Sequence, residues 1–181
     1  MTSPEVSGAS QQPASPEAGV PLYEPSTSLP DTLARLDGLL ALPADQVTNR
    51  DIFEAIADTF ATRCTQYNDQ GVKWIDPETG KEDEVAWETE DEKAFYFDND
   101  RRVGISYGRD TQEQAWIDLP EAPVIVFMPV KDDTLIVLED YSQQEIGGEV
   151  PSRQVSSLGA EINTNVLQTL ALGLKSPLGP V

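Results

Sequence analysis

Residues 104–108 spell GISYG and match the G-x-S-x-G pattern that surrounds a nucleophilic serine. In hydrolases with this pattern the serine lies on a turn between a strand and a helix, and a histidine elsewhere accepts its proton. This chain of 181 residues contains no histidine. We therefore interpret the segment as a strand bounded by Gly104 and Gly108. The sequence predicts no catalytic residue and a protein that is not an enzyme.

Metal-binding patterns are also incomplete. The single cysteine, Cys64, rules out a multi-cysteine zinc site, and its place in a helical apolar pattern predicts core packing. An EF-hand loop starting at Asp98 would need glycine at Val103 and glutamate at Arg109, so we interpret Asp98 and its neighbours as a turn. We predict no metal site and no cofactor. A looser Mg²⁺ or Ca²⁺ site stays open among Asp132, Asp133, Glu139 and Asp140.

The net charge of -20, from 32 acidic and 12 basic residues, restricts the class of partner. It repels nucleic acid and anionic lipid, so we expect no direct nucleic-acid binding and no membrane insertion. A protein with a basic surface is the expected partner. The first nine residues lack the basic start and apolar stretch of a signal peptide, and we expect a cytoplasmic protein.

Eleven of the carboxylates lie between Asp76 and Asp100. If residues 82–88 form a strand, Val85 and Trp87 share one face and the even-numbered glutamates share the other, which would present a row of negative charge. Solubility or a high-salt habitat would also explain this acidity. The predicted partner-binding residues are Glu82, Glu84, Glu88, Glu90, Glu92, Asp98 and Asp100.

Residues 1–27 contain five prolines and five serines and few large apolar residues, which predicts a disordered arm. Val20, Leu22 and Tyr23 are its expected anchors if the arm lies along a neighbouring molecule. A single domain is predicted over residues 28–176, followed by a short tail, 177–181. Within the domain, Ser28 starts a short helix that ends before Pro43, and Thr48 starts a helix over about 49–67.

Alternating apolar residues predict the strands. Segment 72–75 should pair with 82–88 around a turn at Gly80, and 94–97 should pair with 102–107. Further strands are predicted at 114–119, 124–128 and 134–138, the last two buried on both faces. Residues 140–159 are predicted to be a loop, and a helix from about Ile162 closes the chain. The expected fold is α+β, with an antiparallel sheet of about six or seven strands and two or three helices packed on one face.

These features favour a non-enzymatic protein–protein interaction module. It would be an accessory or structural subunit of a larger assembly, or an assembly chaperone, acting through the acidic hairpin and the flexible arm. One alternative is an acidic inhibitor that mimics nucleic acid and occupies a DNA-binding protein. Another is a hydrolase that uses paired carboxylates, with or without Mg²⁺.

Overall fold

The computed structural model describes residues 23–75, 79–85, 87, 93–98, 101, 103–108 and 113–178. Within them the helices are α1 (Leu29–Ala41), α2 (Asn49–Asp69) and α3 (Ala160–Lys175). The strands are β1 (Lys73–Ile75), β2 (Glu82–Glu84), β3 (Ala94–Asp98), β4 (Val103–Tyr107), β5 (Ala115–Asp118), β6 (Val124–Val130), β7 (Asp133–Glu139) and β8 (Ser152–Val155). Short 3₁₀ turns lie at Ala44–Gln46 and Tyr141–Gln143. The predicted α+β class is confirmed.

Both N-terminal helices begin where the capping residues predict. Ser28 accepts a hydrogen bond from the backbone N–H of Asp31 at 3.4 Å. At α2, the Thr48 hydroxyl accepts from the Asp51 backbone at 3.1 Å, and the Asp51 carboxylate accepts from the Thr48 backbone at 2.8 Å. This capping box satisfies two donors that have no partner inside the helix. α2 is the central helix, since it packs against α1, α3 and strands β4 to β7.

Strands β3 to β8 form one antiparallel sheet in sequence order, and β1 and β2 form a separate pair. Side chains alternate across a strand, so each strand contributes to both faces of the sheet. One face packs on the helices and supplies the core residues Phe95, Ile105, Tyr107, Ile117, Ile125, Phe127 and Ile136. The register places the other set side by side on the opposite face: Tyr96, Gly104, Ser106, Trp116, Asp118, Val124, Val126, Val137 and Glu139.

This second face, called the open face below, differs from the sequence expectation. β6 and β7 were expected to be covered on both sides, but the described helices all pack on one side. Val124 and Val137 on the open face are half-buried and Val126 beside them is 7% exposed, whereas Ile125 and Ile136 on the helix face are 3% and 0% exposed. β6 and β7 therefore have apolar side chains on both faces. One face packs in the core, and the described helices leave the other face open, although the apolar runs predicted coverage of both.

The sequence pattern does not predict strand β8, because it favours a polar loop over residues 140–159. Ser152, Arg153 and Gln154 are exposed, and Val155 is half-buried against the core. An edge strand with polar side chains carries no apolar alternation for a sequence pattern to detect. Its strand conformation is therefore defined by its pairing with β7 and not by its side chains.

The described chain starts five residues before the predicted domain. Residues 23–27 lie against α2, where the rings of Tyr23 and Phe53 make an edge contact with centroids 6.2 Å apart. At the other end, Arg63 of α2 donates to the backbone oxygens of Ser176 and Pro177. The rest of the predicted arm, including Val20 and Leu22, lies outside the described residues, as do residues 179–181.

Candidate functional site

The predicted acidic hairpin is present as the β1–β2 pair. Glu82 lies opposite Ile75, and Gly80 has the left-handed conformation that the turn prediction requires, with φ 65°. Val85 is fully buried, and half-buried Trp87 packs on the Tyr107 ring with centroids 5.8 Å apart, so both lie on the core side as expected.

The acidic side of that hairpin is described only in part. Glu82 is exposed, whereas the side chain of Glu84 and all of Glu88, Glu90, Glu92 and Asp100 lie outside what the structure describes. β2 ends at Glu84 and Trp87 lies in a turn, so the predicted strand over 82–88 is wrong beyond Glu84. The row of negative charge, which assumed that longer strand, stays a prediction. Asp98 ends β3, where its carboxylate accepts hydrogen bonds from the backbone and the guanidinium of Arg101. These bonds place one basic group beside one of the predicted carboxylates, while residues 99 and 100 of the predicted turn lie outside the described residues.

The G-x-S-x-G segment is a strand, as predicted, with residues 104–107 inside β4. Ser106 is buried and lies opposite Trp116 in the register. Gly104 has a spatial role, because a Cβ there would lie 2.9 Å from the Tyr96 ring and 3.4 Å from the Trp116 ring. The missing side chain lets these two aromatic rings lie over β4 on the open face.

A groove of about 1080 Å³ lies at this aromatic pair. Tyr96, Trp116, Val124 and Val126 line its apolar part. The remaining lining residues come mainly from the connections that follow β3, β5 and β7: Arg101, Gln114, Asp118, Leu119, Pro120, Glu121, Ala122, Pro123, Glu139, Asp140, Tyr141 and Ser142. Four of them are carboxylates and one, Arg101, is basic. We call this surface the acidic groove.

Antiparallel topology explains why carboxylates from separate segments meet here. The connections after β3, β5 and β7 all lie at one end of the sheet. Asp118 at the end of β5 lies opposite Gly104, and Glu139 at the end of β7 lies opposite Val124. The sequence patterns do not predict this site. The available signal was the alternation of Trp116 with Asp118, which places an aromatic ring and a carboxylate on the same face.

Local hydrogen bonds hold two rim carboxylates in place. The Tyr141 hydroxyl donates to Glu139 Oε2 at 2.9 Å, and burial together with this carboxylate raises the pKa of Tyr141. Asp140 Oδ1 accepts from the backbone N–H of Ser142 at 3.1 Å and from its hydroxyl. These bonds fix the carboxylates in orientations that can accept bonds from Lys or Arg side chains.

The loose metal site left open by the sequence is not assembled. Asp133 pairs with Val130 at the β6–β7 turn, whereas Glu139 pairs with Val124 at the other end of the same strands. Asp132 therefore lies far along the sheet from Asp140. Within the described residues, no group of three or more acidic or cysteine side chains could hold a metal ion.

Tyr23, one of the predicted arm anchors, lies on its own domain. Its hydroxyl donates to Asp58 Oδ1 at 2.6 Å and accepts from Arg35 at 2.7 Å, while Arg35 also pairs with Glu54. Burial raises the pKa of Asp58, although hydrogen bonds from Tyr23, Ser26 and Arg35 oppose this. We call this cluster the N-terminal clamp. Contact of the preceding arm with a neighbouring molecule stays a prediction.

Fold and site together define a two-layer α+β protein whose open sheet face carries an apolar groove with an acidic rim. None of the helices in the described ranges has the length and apolar character needed to cross a membrane. Comparison with protein families, curated proteins and solved structures finds no match to this chain.

Proposed function

We propose that this chain is a non-enzymatic protein–protein interaction module that binds a basic partner in the acidic groove. It would serve as an accessory or structural subunit of a larger assembly, or as an assembly chaperone. The observation that carries the proposal is the combination of an apolar floor, centred on Trp116 and Val126, with four carboxylates at one end of it.

The two parts of the groove have different roles in binding. Aromatic side chains at the centre of an interface commonly supply most of the binding free energy, and Trp116 is placed for that role. Charges at the rim accelerate association and exclude wrong partners. Asp118, Glu121, Glu139 and Asp140 therefore select for Lys or Arg flanking an apolar segment.

Charge argues against occupants that belong to this chain. A second copy carries the same net charge of -20, and an acidic groove would repel it. Residues 1–22 contain Glu5 and Glu17 and no lysine or arginine. A different, basic protein fits the groove better than either.

The hairpin residue Glu82 and the arm remain part of the proposal as secondary contacts. Exposed Glu82 would add to electrostatic attraction. The arm is tested by removing residues 1–22, a truncation that keeps Tyr23 and the N-terminal clamp. Weaker partner binding by the truncated chain would assign a contact to the arm.

The test uses two matched double variants. Asp118→Asn with Glu139→Gln removes two charges from the groove, and Asp37→Asn with Asp45→Asn removes two exposed charges from the helix layer. A partner captured by the wild-type chain is purified and titrated calorimetrically at two salt concentrations. We expect the groove variant to weaken binding at least tenfold and the helix-layer variant to leave it within twofold. Equal effects of both variants would refute the groove as the site.

A carboxylate-dependent hydrolase is the second candidate, because the groove is concave and contains several carboxylates. Paired carboxylates hydrolyse glycosides when one donates a proton and the other acts as base or nucleophile. The chain would then release sugar from a glycan panel, and Asp118→Asn or Glu139→Gln would abolish the release in a folded protein. No release by the wild-type chain would remove this candidate.

A further inference from the structure

We infer that the segment bound in the acidic groove is a basic amphipathic α-helix that lies across the strands as a third layer of the fold. This inference rests on the proposed function and specifies the conformation of the partner. Hydrogen bonding, dimensions and charge each support a helical occupant.

The backbone groups under the groove are already hydrogen-bonded within the sheet. β4, β5, β6 and β7 each have a neighbouring strand on both sides, so the backbone groups beneath the groove are directed along the sheet to other strands. An extended segment lying on this floor would find no backbone partners over the apolar residues. Each buried polar group without a partner costs roughly 1 to 3 kcal/mol. A helix satisfies its own backbone and avoids this cost.

The dimensions also fit a helix. The groove runs from Tyr96 on β3 to Glu139 on β7, which spans four gaps between neighbouring strands. At about 4.8 Å per gap, this distance is roughly 19 Å. A helix of about 13 residues has that length. Three or four apolar side chains at helical spacing would then contact Trp116, Val126 and their neighbours.

The charges determine which flank of the helix is basic. The carboxylates lie along one side of the groove floor, with Asp118 and Glu121 at the end of β5 and Glu139 and Asp140 at the end of β7. Lysine or arginine beside the apolar stripe would meet them. Within the described residues, Arg101 is the one basic side chain lining the groove, and its guanidinium is bonded to Asp98.

The experiment uses two synthetic 14-residue peptides of leucine and lysine with leucine at helical spacing. The first contains only L-residues. The second has the same sequence with two central D-residues, which break the helix but preserve composition and charge. Each peptide is titrated into the isotope-labelled full chain, with circular dichroism recorded in parallel. We expect the first peptide to shift the Trp116 indole and Val126 methyl signals, to gain helix content and to bind at least tenfold more tightly than the second.

The outcomes separate this inference from the proposed function. If both peptides shift the groove signals with equal affinity, the helical conformation is refuted and a basic occupant of the groove is retained. If neither shifts them, or if the shifts fall on the helix layer, both are refuted. The Asp118→Asn, Glu139→Gln double variant should bind the first peptide at least fivefold more weakly than the helix-layer variant does. An equal affinity for the two variants would show that nonspecific attraction to an acidic protein explains the binding.

Discussion

The hydroxyl of Tyr23 donates a 2.6 Å hydrogen bond to the Asp58 carboxylate across 35 positions of sequence. Asp58 is 1% exposed and also accepts from the Ser26 backbone at 2.8 Å and from Arg35 at 3.1 Å. The segment before α1 is therefore bound to the middle of α2. Five positions further along α2, Arg63 holds the segment that follows α3.

Replacing Tyr23 with phenylalanine should destabilise the protein by roughly 1 to 2 kcal/mol at pH 7, because a half-buried hydrogen bond to a charged group is lost. The pKa of Tyr23 is raised by burial first and by Asp58 second. Its contribution is fully present below the unfolded pKa near 10 and is lost as pH rises beyond it. Urea unfolding at pH 7 and pH 11 should therefore show a smaller alkaline loss for Tyr23→Phe than for the wild-type chain. Equal losses would contradict this role.

Asp58→Asn tests the buried carboxyl. Because its folded pKa is raised, Asp58 contributes stability that is fully present below its unfolded pKa near 4 and is lost as pH rises through the folded pKa. Asparagine does not titrate. The stability of the wild-type chain relative to Asp58→Asn should therefore be greatest near pH 3 and should fall toward pH 7, as measured by urea unfolding across this range. A relative stability that rises with pH would mean that the ion pair with Arg35 outweighs burial.

Two helix glycines form a matched pair. A Cβ at Gly173 would overlap the Phe97 ring, whereas a Cβ at Gly38 would meet nothing within 4 Å. Gly38→Ala should stabilise the protein by about 0.5 to 1 kcal/mol through helix propensity. Gly173→Ala should destabilise it by roughly 1 kcal/mol, because overpacking exceeds that gain. Thermal unfolding of both variants measures these two opposite changes in stability. Stabilisation by Gly173→Ala would show that Phe97 moves at little cost.

Arg63→Lys should loosen the C-terminal segment. Arg63 is 3% exposed, and its guanidinium donates to Ser176, Pro177 and Gln66. Lysine retains the charge but cannot present the same planar fork. We expect a loss of about 2 kcal/mol in unfolding free energy, since hydrogen bonds from a buried charge are broken. Limited proteolysis should also cleave after α3 sooner than in the wild-type chain, and unchanged cleavage would refute this role of Arg63.

Gly104→Ala tests the aromatic pair of the acidic groove. The added methyl group meets the Tyr96 ring first, and Tyr96 is about half exposed and can move. The free energy of unfolding should change by less than about 1 kcal/mol, because the Tyr96 ring can move away from the added methyl group and so reduce the overpacking. The ring signals of Tyr96 and Trp116 should nevertheless shift, and affinity for the helical leucine–lysine peptide should fall several-fold. Unchanged signals would mean that the rings do not need the glycine.

Local patterns predicted much of the fold correctly. Ser28 and Thr48 mark helix starts because capping depends on residues three positions apart. The two hairpins around Gly80 and Asp98 follow from alternation and turn residues, which are also local. The absence of histidine from the sequence, together with apolar alternation, was sufficient to interpret residues 104–108 as a strand.

The acidic groove was beyond such patterns, because its residues come from separate connections that meet only when the strands pair in register. Strand β8 was missed for a related reason, since its polar side chains show no periodicity and its neighbour β7 defines it.

The sequence by itself determined the helix starts, the strand alternation and the overall acidity, since each depends on residues close together in the chain or on composition. Tertiary structure alone decided which carboxylates share a surface, which sheet face is open, and that Tyr23 is bound to Asp58. These depend on burial and on contacts between distant segments, which the packing of α2 against the sheet and the strand register bring together.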